Sequence, residues 1–298
     1  VYQKILQTVE NDSESQFALA LIYLQQKNEQ DARVYLKKLV NKRGWGAQAS
    51  FYLGRIAFNN AEYETALTWF DKVTEGPYKY EASMAAVSVL LEQDKFVDAE
   101  TRLATLDDKF PQKKVDILLL KAEAFTKQQK YQQAFDVLST GLDIFPEQRD
   151  LLYSRALIAE KIGGLPLLER DLKVLLLKYP NDVAALNALG YTLVDRTERY
   201  AEAEVYLQKA IELSPDNALI MDSMGWLRFK QGRLEDALLL LRVAYDKQAE
   251  NEIAIHLAEV LHKLDANREA ADIINKALEK TPKDEYLLKF RERFPEIR

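Results

Sequence analysis

Tyr200–Ala210 reads YAEAEVYLQKA, Tyr131–Gly141 reads YQQAFDVLSTG and Tyr63–Val73 reads YETALTWFDKV. Each stretch opens on an aromatic, has Ala three places on and a large apolar residue four further. Residues three and four apart share one face of a helix. A small residue and a large one at this spacing therefore mark a helical face that approaches another helix closely. Carrying the register along the chain gives Ala32, Ala66, Ala99, Ala134, Leu168, Ala203, Ala237 and Ala270, with steps of 33 to 35 residues. Pro111, Pro146, Pro180, Pro215 and, two periods later, Pro282 keep the same beat. A self-similarity of this period is the mark of a stacked helical array.

Composition agrees and removes alternatives. The chain has 298 residues with 48% hydrophobic and 30% charged, which excludes a low-complexity disordered chain. Ten Gly and eight Pro are too few for a many-turned all-β protein. There is no Cys, so disulfides, thiol catalysis and cysteine metal sites are excluded together. The net charge of −6 argues against nucleic acid as the main partner. No apolar run approaches the ~18 residues of a membrane span.

The period and its positions resemble the tetratricopeptide repeat, a helix–turn–helix unit of about 34 residues. That family places a small residue in the first helix, and here the position holds Ala20, Gly54, Val87, Ala122, Ala156, Gly190, Gly225 and Ala258. It places Ala early in the second helix, found in seven of eight units, and a knob four later: Leu36, Phe70, Leu103, Leu138, Leu172, Leu207, Leu241 and Ile274. The expected fold is all-α, a right-handed superhelical solenoid of about eight helix hairpins. The expected repeats are 13–46, 47–79, 80–114, 115–148, 149–182, 183–217, 218–250 and 251–284, with a capping helix at 285–298. Residues 1–12, with Tyr2 and Ile5 at second-helix positions, read as the end of a truncated repeat. The chain is thus expected to be a piece of a longer protein.

Some positions depart from the pattern. Gly163-Gly164-Leu165-Pro166 occupies the fifth internal turn, and Leu168 replaces Ala there. The sixth unit carries one extra residue within Asp195–Arg199, so its turn should bulge. Lys121, Arg155 and Arg228 fall where repeats are usually apolar; Arg228 either snorkels to an edge or lies out of register.

Nothing in the sequence carries catalysis. His256 and His262 are six apart, which puts them on different faces of a helix, and they read as groove or edge residues rather than a metal pair. No phosphate loop and no nucleophile elbow occur, and no cofactor or metal is expected. The chain should work as a surface. In the resembling family ligand residues lie on the first helices, which line the inside of the superhelix. Transferred here, the protein-binding groove would comprise Phe51, Arg55, Phe58, Tyr153, Asn187, Tyr191, Asp222, Trp226, Phe229 and His262. Trp226 and Tyr191 serve there either as binding anchors or as packing between repeats. The Lys/Asn pairing with which some relatives clamp a C-terminal carboxylate is missing, so apolar or basic segments, or a partner's helix, suit the groove better.

The last third carries a closer resemblance. Asn187–Arg196 reads NALGYTLVDR, Asp222–Trp226 reads DSMGW and Glu252–Leu261 reads EIAIHLAEVL. In this order they resemble a family of bacterial tetratricopeptide lipoproteins on the periplasmic face of the outer membrane. That resemblance implies a non-catalytic adaptor bringing a carboxyl-terminal processing protease to peptidoglycan hydrolases. It also implies membrane attachment only through a lipid anchor on a cysteine outside this chain. Residues alone leave a cytoplasmic location open, and a structural module binding copies of itself is the alternative function.

Overall fold

A computed structural model describes residues 12–297; the expected truncated repeat, with Tyr2 and Ile5, lies outside them apart from Asp12. Every regular element among the described residues is helical: seventeen α-helices and one short 3-10 turn, with no strand. The architecture is all-α, as the periodicity predicts. The chain divides into two compact units, one ending at Pro146 and one beginning at Glu147.

The first unit holds four hairpins: α1 (Ser13–Gln25) with α2 (Glu29–Leu39), α3 (Gly46–Asn59) with α4 (Tyr63–Asp71), α5 (Lys79–Glu92) with α6 (Phe96–Lys109), and α7 (Lys114–Lys127) with α8 (Tyr131–Ile144). The second holds α9 (Arg149–Lys161) with α10 (Leu165–Lys178), α11 (Val183–Arg196) with α12 (Tyr200–Leu213), α13 (Ala218–Lys230) with α14 (Leu234–Lys247), and α15 (Asn251–Lys263) with α16 (Asn267–Lys280). A single helix, α17 (Glu285–Arg293), follows.

Local chemistry sets the ends of these helices. The second helices α6, α8, α10, α12, α16 and the closing α17 stop at a residue that precedes proline. Proline's ring disfavours helical backbone in the residue before it. Tyr179 accordingly sits at φ −121°, ψ 72°, and Ser214 at φ −144°, ψ 72°. Two residues past the proline stands a cap for the next helix. Asp182 accepts from Ala185 N–H at 2.9 Å, Asn217 from Leu219 N–H at 2.9 Å and Asp284 from Leu287 N–H at 3.0 Å. One short Pro-x-Asp/Asn motif thus ends one repeat and starts another.

The turns inside the hairpins hold a feature that the sequence hides. Seven of eight contain a left-handed residue: Lys27, Ala61, Asp94, Gln129, Gly163, Gly232 and Asp265. Five of these are not glycine. The sixth turn, with its extra residue, has no left-handed residue. Thr197 is extended there (φ −144°, ψ 177°), its hydroxyl donating to Leu193 O at 2.6 Å and accepting from Arg199 N–H at 3.0 Å.

All eight small-position residues of the second helices and all eight knobs are buried. The knob fills the space that the first helix leaves. A Cβ on Gly190 would lie 2.6 Å from Leu207 Cγ, and one on Gly225 2.7 Å from Leu241 Cγ. The three basic residues at apolar positions are explained by carboxylates. Arg155 grips the buried Asp171 at 2.6 Å, Arg228 meets Glu204 at 2.7 Å and Lys121 meets Asp107 at 3.2 Å. Arg228 is therefore in register and paired.

Two substitutions test this account with opposite signs. Gly190→Ala gains about 1 kcal/mol of helix propensity but overpacks an immobile neighbour at about 1–3 kcal/mol. Urea unfolding should show net destabilisation; a variant as stable as wild type would mean that the two helices separate freely. Ala61→Gly removes a left-handed strain of about 1 kcal/mol and should raise the unfolding midpoint.

Candidate functional site

The site is a concave cleft of about 710 Å3 in the second unit. Its walls come from the first helices, the closing helix and the caps that precede α15 and α17: Glu160 and Lys161 of α9, Tyr191, Asp195 and Arg196 of α11, Trp226 of α13, Asn251, Glu252, Ile255, His256 and Glu259 of α15, Tyr286 of α17, and the caps Glu250 and Asp284. No second helix contributes. The Gly190 and Gly225 crossings hold each second helix behind its partner, while α11, α13, α15 and α17 touch one another in succession.

At the base of the cleft lies a buried ionic pair. His256 Nδ1 is 2.9 and 3.0 Å from the two carboxylate oxygens of Asp222, and each side chain is 6% exposed. Burial pushes the imidazole down, yet the Asp222 carboxylate pulls it up further, with Glu252 and Asp195 adding to the rise. The net result is a histidine that binds its proton more tightly than an ordinary one, so Nδ1–H donates to Asp222. Trp226 stacks on this ring at 4.2 Å and on Phe229 at 4.9 Å. The Lys230 ammonium lies 4.5 Å over the indole.

Tyr191 closes one side. Its hydroxyl donates to Glu252 Oε1 at 2.6 Å across two repeats. Burial and then the Glu252 carboxylate hold the phenol far above its ordinary value, so it keeps its proton. Arg196 is taken up by Asp195 at 3.1 Å and Glu160 at 3.3 Å, and Glu259 receives Arg293 at 3.4 Å. Among the described residues the buried Trp226 indole N–H has no acceptor and the buried Asn187 Oδ1 has no donor.

Of the residues the sequence nominates, the fold brings Tyr191, Asp222, Trp226 and Phe229 together around His256. Trp226, at 5% exposed, is mostly packing between repeats, whereas Tyr191 faces the cleft. Tyr153 and His262 are half-buried in the same unit but do not line the cleft. Tyr153 lies under the Arg149 guanidinium at 5.1 Å, and His262 bonds Asn267 Oδ1 at 2.7 Å. Asn187 is half-buried on α11. Phe51, Arg55 and Phe58 belong to the first unit, where Phe51 is buried against Tyr78 at 4.8 Å. Of the two readings the sequence leaves for His256, groove or edge, the structure shows the groove, where the ring is buried against Asp222 and Trp226. The spacing Asp222 to His256, one repeat period, is the signal that points to it: residues a period apart occupy neighbouring places on consecutive first helices.

The pair makes stability depend on pH. The folded pKa of His256 is raised above the ordinary 6.5. Its contribution is therefore complete below pH about 6.5 and lost as pH rises through the folded value. Urea unfolding of wild type should weaken over that window, and His256→Gln should flatten the profile there. Parallel profiles would mean the proton is not held by the fold.

Comparison with known proteins places this geometry. Sequence profiles of the tetratricopeptide repeat match residues 183–217, 223–285 and 14–43. A protein of Pseudomonas aeruginosa described as TPR repeat-containing is 37% identical over 211 residues, 71% of this chain and 36% of the relative. The chain thus spans about a third of that relative's length. Among solved structures, a tetratricopeptide repeat protein from Parabacteroides merdae superposes with a TM-score of 0.65 at 16% identity over 83% of this chain and 97% of its own. The APC/C hetero-tetramer Cut9–Hcn1 gives 0.60 at 17% identity over 93% of this chain and 56% of its own. At such identities these structures show likeness of fold alone.

Proposed function

This chain is built of tetratricopeptide repeats, and we propose that it acts as a non-catalytic protein-binding adaptor. The observation that carries the reading is the cleft of about 710 Å3 walled by first helices and caps, with aromatic and carboxylate side chains turned into it. Tetratricopeptide proteins are interaction scaffolds, and charged groups lining a concave surface orient a partner of complementary charge. The finer reading is a periplasmic adaptor that brings a carboxyl-terminal processing protease to cell-wall hydrolases, held at the outer membrane by a lipid anchor outside this chain. It is supported by the resemblance of Asn187–Arg196, Asp222–Trp226 and Glu252–Leu261 to that lipoprotein family.

The choice of test variant follows from burial. Trp226→Ala removes a buried aromatic at about 3–5 kcal/mol of stability, so lost binding would only report lost structure. Tyr191→Ala removes a side chain that faces the cleft. Purified periplasmic processing protease and a peptidoglycan hydrolase should each bind the immobilised wild-type chain, and the hydrolase should be cleaved faster in its presence. Tyr191→Ala should weaken binding by about tenfold or more with helicity unchanged. Failure of wild type to retain either protein would overturn the adaptor reading. Mass that grows with concentration in light scattering would favour self-assembly instead.

A further inference from the structure

The first unit holds a second, smaller pocket of about 200 Å3, between the start of α5 and the last turns of α6. Lys79 and Ser83 of α5 and Thr101, Arg102, Thr105 and Lys109 of α6 form its polar wall, and no carboxylate lines it. The repeat shows where this wall comes from. Lys109, Lys178 and Lys247 close their second helices at the same place, two periods apart. Lys178 pairs with Glu147 at 2.8 Å and Lys247 with Asp216 at 3.0 Å, each acid directly following a proline. The matching Pro77 is followed by Tyr78, so Lys109 has no acid to meet. The next place holds Gln148 or Asn217, whose side chains cap the helices that follow, but in the third hairpin it holds Lys79. Among the described residues neither Lys79 nor Lys109 has an ionic partner.

Two apolar places change with them. Ser83 stands where Leu152 and Met221 stand in the later hairpins, and Thr105 where Val174 and Val243 stand. The smaller side chain opens the space and the hydroxyls make it polar. Asp71 holds Arg102 in a bidentate pair at 2.6 and 3.0 Å, with Asp98 one turn before it, so the guanidinium is neutralised and the two ammonium groups remain. Ser83, Thr101 and Thr105 each donate to the carbonyl one turn back. Such bonds disturb a helix slightly rather than support it, so these hydroxyls turn outward at little cost. A single carboxylate would meet one lysine, as Glu147 meets Lys178. Two ammonium groups beside hydroxyls suit a tetrahedral oxyanion with several charged oxygens.

We infer that the pocket between Lys79, Thr105 and Lys109 binds a phosphate group, carried by a free phosphate compound or by a phospholipid head group. It is formed by other hairpins than the cleft and does not depend on the adaptor reading.

The test is calorimetric titration of the full chain with inorganic phosphate and with acetate, beside sedimentation with vesicles of phosphatidylcholine that contain phosphatidic acid. Phosphate should bind and weaken with salt, and acetate at the same concentration should not bind. Lys79→Gln and Lys109→Gln should each weaken binding about tenfold, and Thr105→Val, which copies Val174, about threefold. None of these three side chains is buried, so helicity should stay unchanged. Lys276→Gln, the same loss of charge at an exposed place on α16, should bind phosphate as wild type does. Pelleting with the vesicles that needs Lys79 and Lys109 would identify a lipid head group; phosphate binding without pelleting would identify a free phosphate compound. Equal losses in Lys276→Gln and Lys109→Gln would reduce the effect to net charge and overturn the site. Acetate binding as tightly as phosphate would overturn the ligand class. A wild-type chain that binds neither phosphate nor vesicles would overturn the inference outright.

Discussion

Everything in this molecule depends on how closely two helices cross within each hairpin. At Gly190 the missing side chain is filled by Leu207, and no Cβ fits between them. Interiors of proteins are packed at crystal density, so such a contact allows one separation and one rotation. The same contact recurs at Gly54 with Phe70 and at Gly225 with Leu241, and it holds those first helices close to their partners. In the second unit the consequence is a row of first helices whose outward faces converge on one cleft. The cleft is thus a product of backbone spacing before it is a product of the side chains in it.

The side chains then divide into two groups with different duties. Asp222, His256 and Trp226 are buried and hold the base together through an ion pair and ring stacking. Tyr191 and Glu252 stand over them and face whatever enters. A buried charge pair contributes little net stability over an apolar one, although breaking it leaves a costly orphan. Its value here lies in position: Nδ1 of His256 is tied to Asp222, which fixes the ring against which Trp226 lies.

The fold is legible in the sequence because its rules are local. The knob recurs in all eight units, the Ala and the small first-helix residue in seven each, and the proline beat in five places, and each acts within one hairpin or its joint to the next. The internal turns are not legible in this way, since Lys27, Ala61, Asp94, Gln129 and Asp265 adopt left-handed backbone without the glycine that usually signals it. Charged residues at apolar positions are readable only once a partner is known, as Arg155 with Asp171 and Arg228 with Glu204 demonstrate. The site is half legible. Tyr191, Asp222, Trp226 and Phe229 follow from repeat position, but that does not distinguish the buried Trp226 from the accessible Tyr191. The partner of His256 lies one full period away at Asp222, so the pair shows only when residues are compared from repeat to repeat rather than along one helix.

That same bond has a bearing on how the array comes apart. A stack of repeats behaves as a one-dimensional chain of units, each coupled only to its neighbours, and it frays from its ends. The hydrogen bond from His256 to Asp222 straddles one such boundary, and Tyr191 to Glu252 reaches over the unit between. Peeling away α15 would break both bonds at once and return Asp222 and Glu252 to water together. Opening from the closing helix thus reaches, at α15, a helix whose side chains are tied to the two preceding hairpins at the same time.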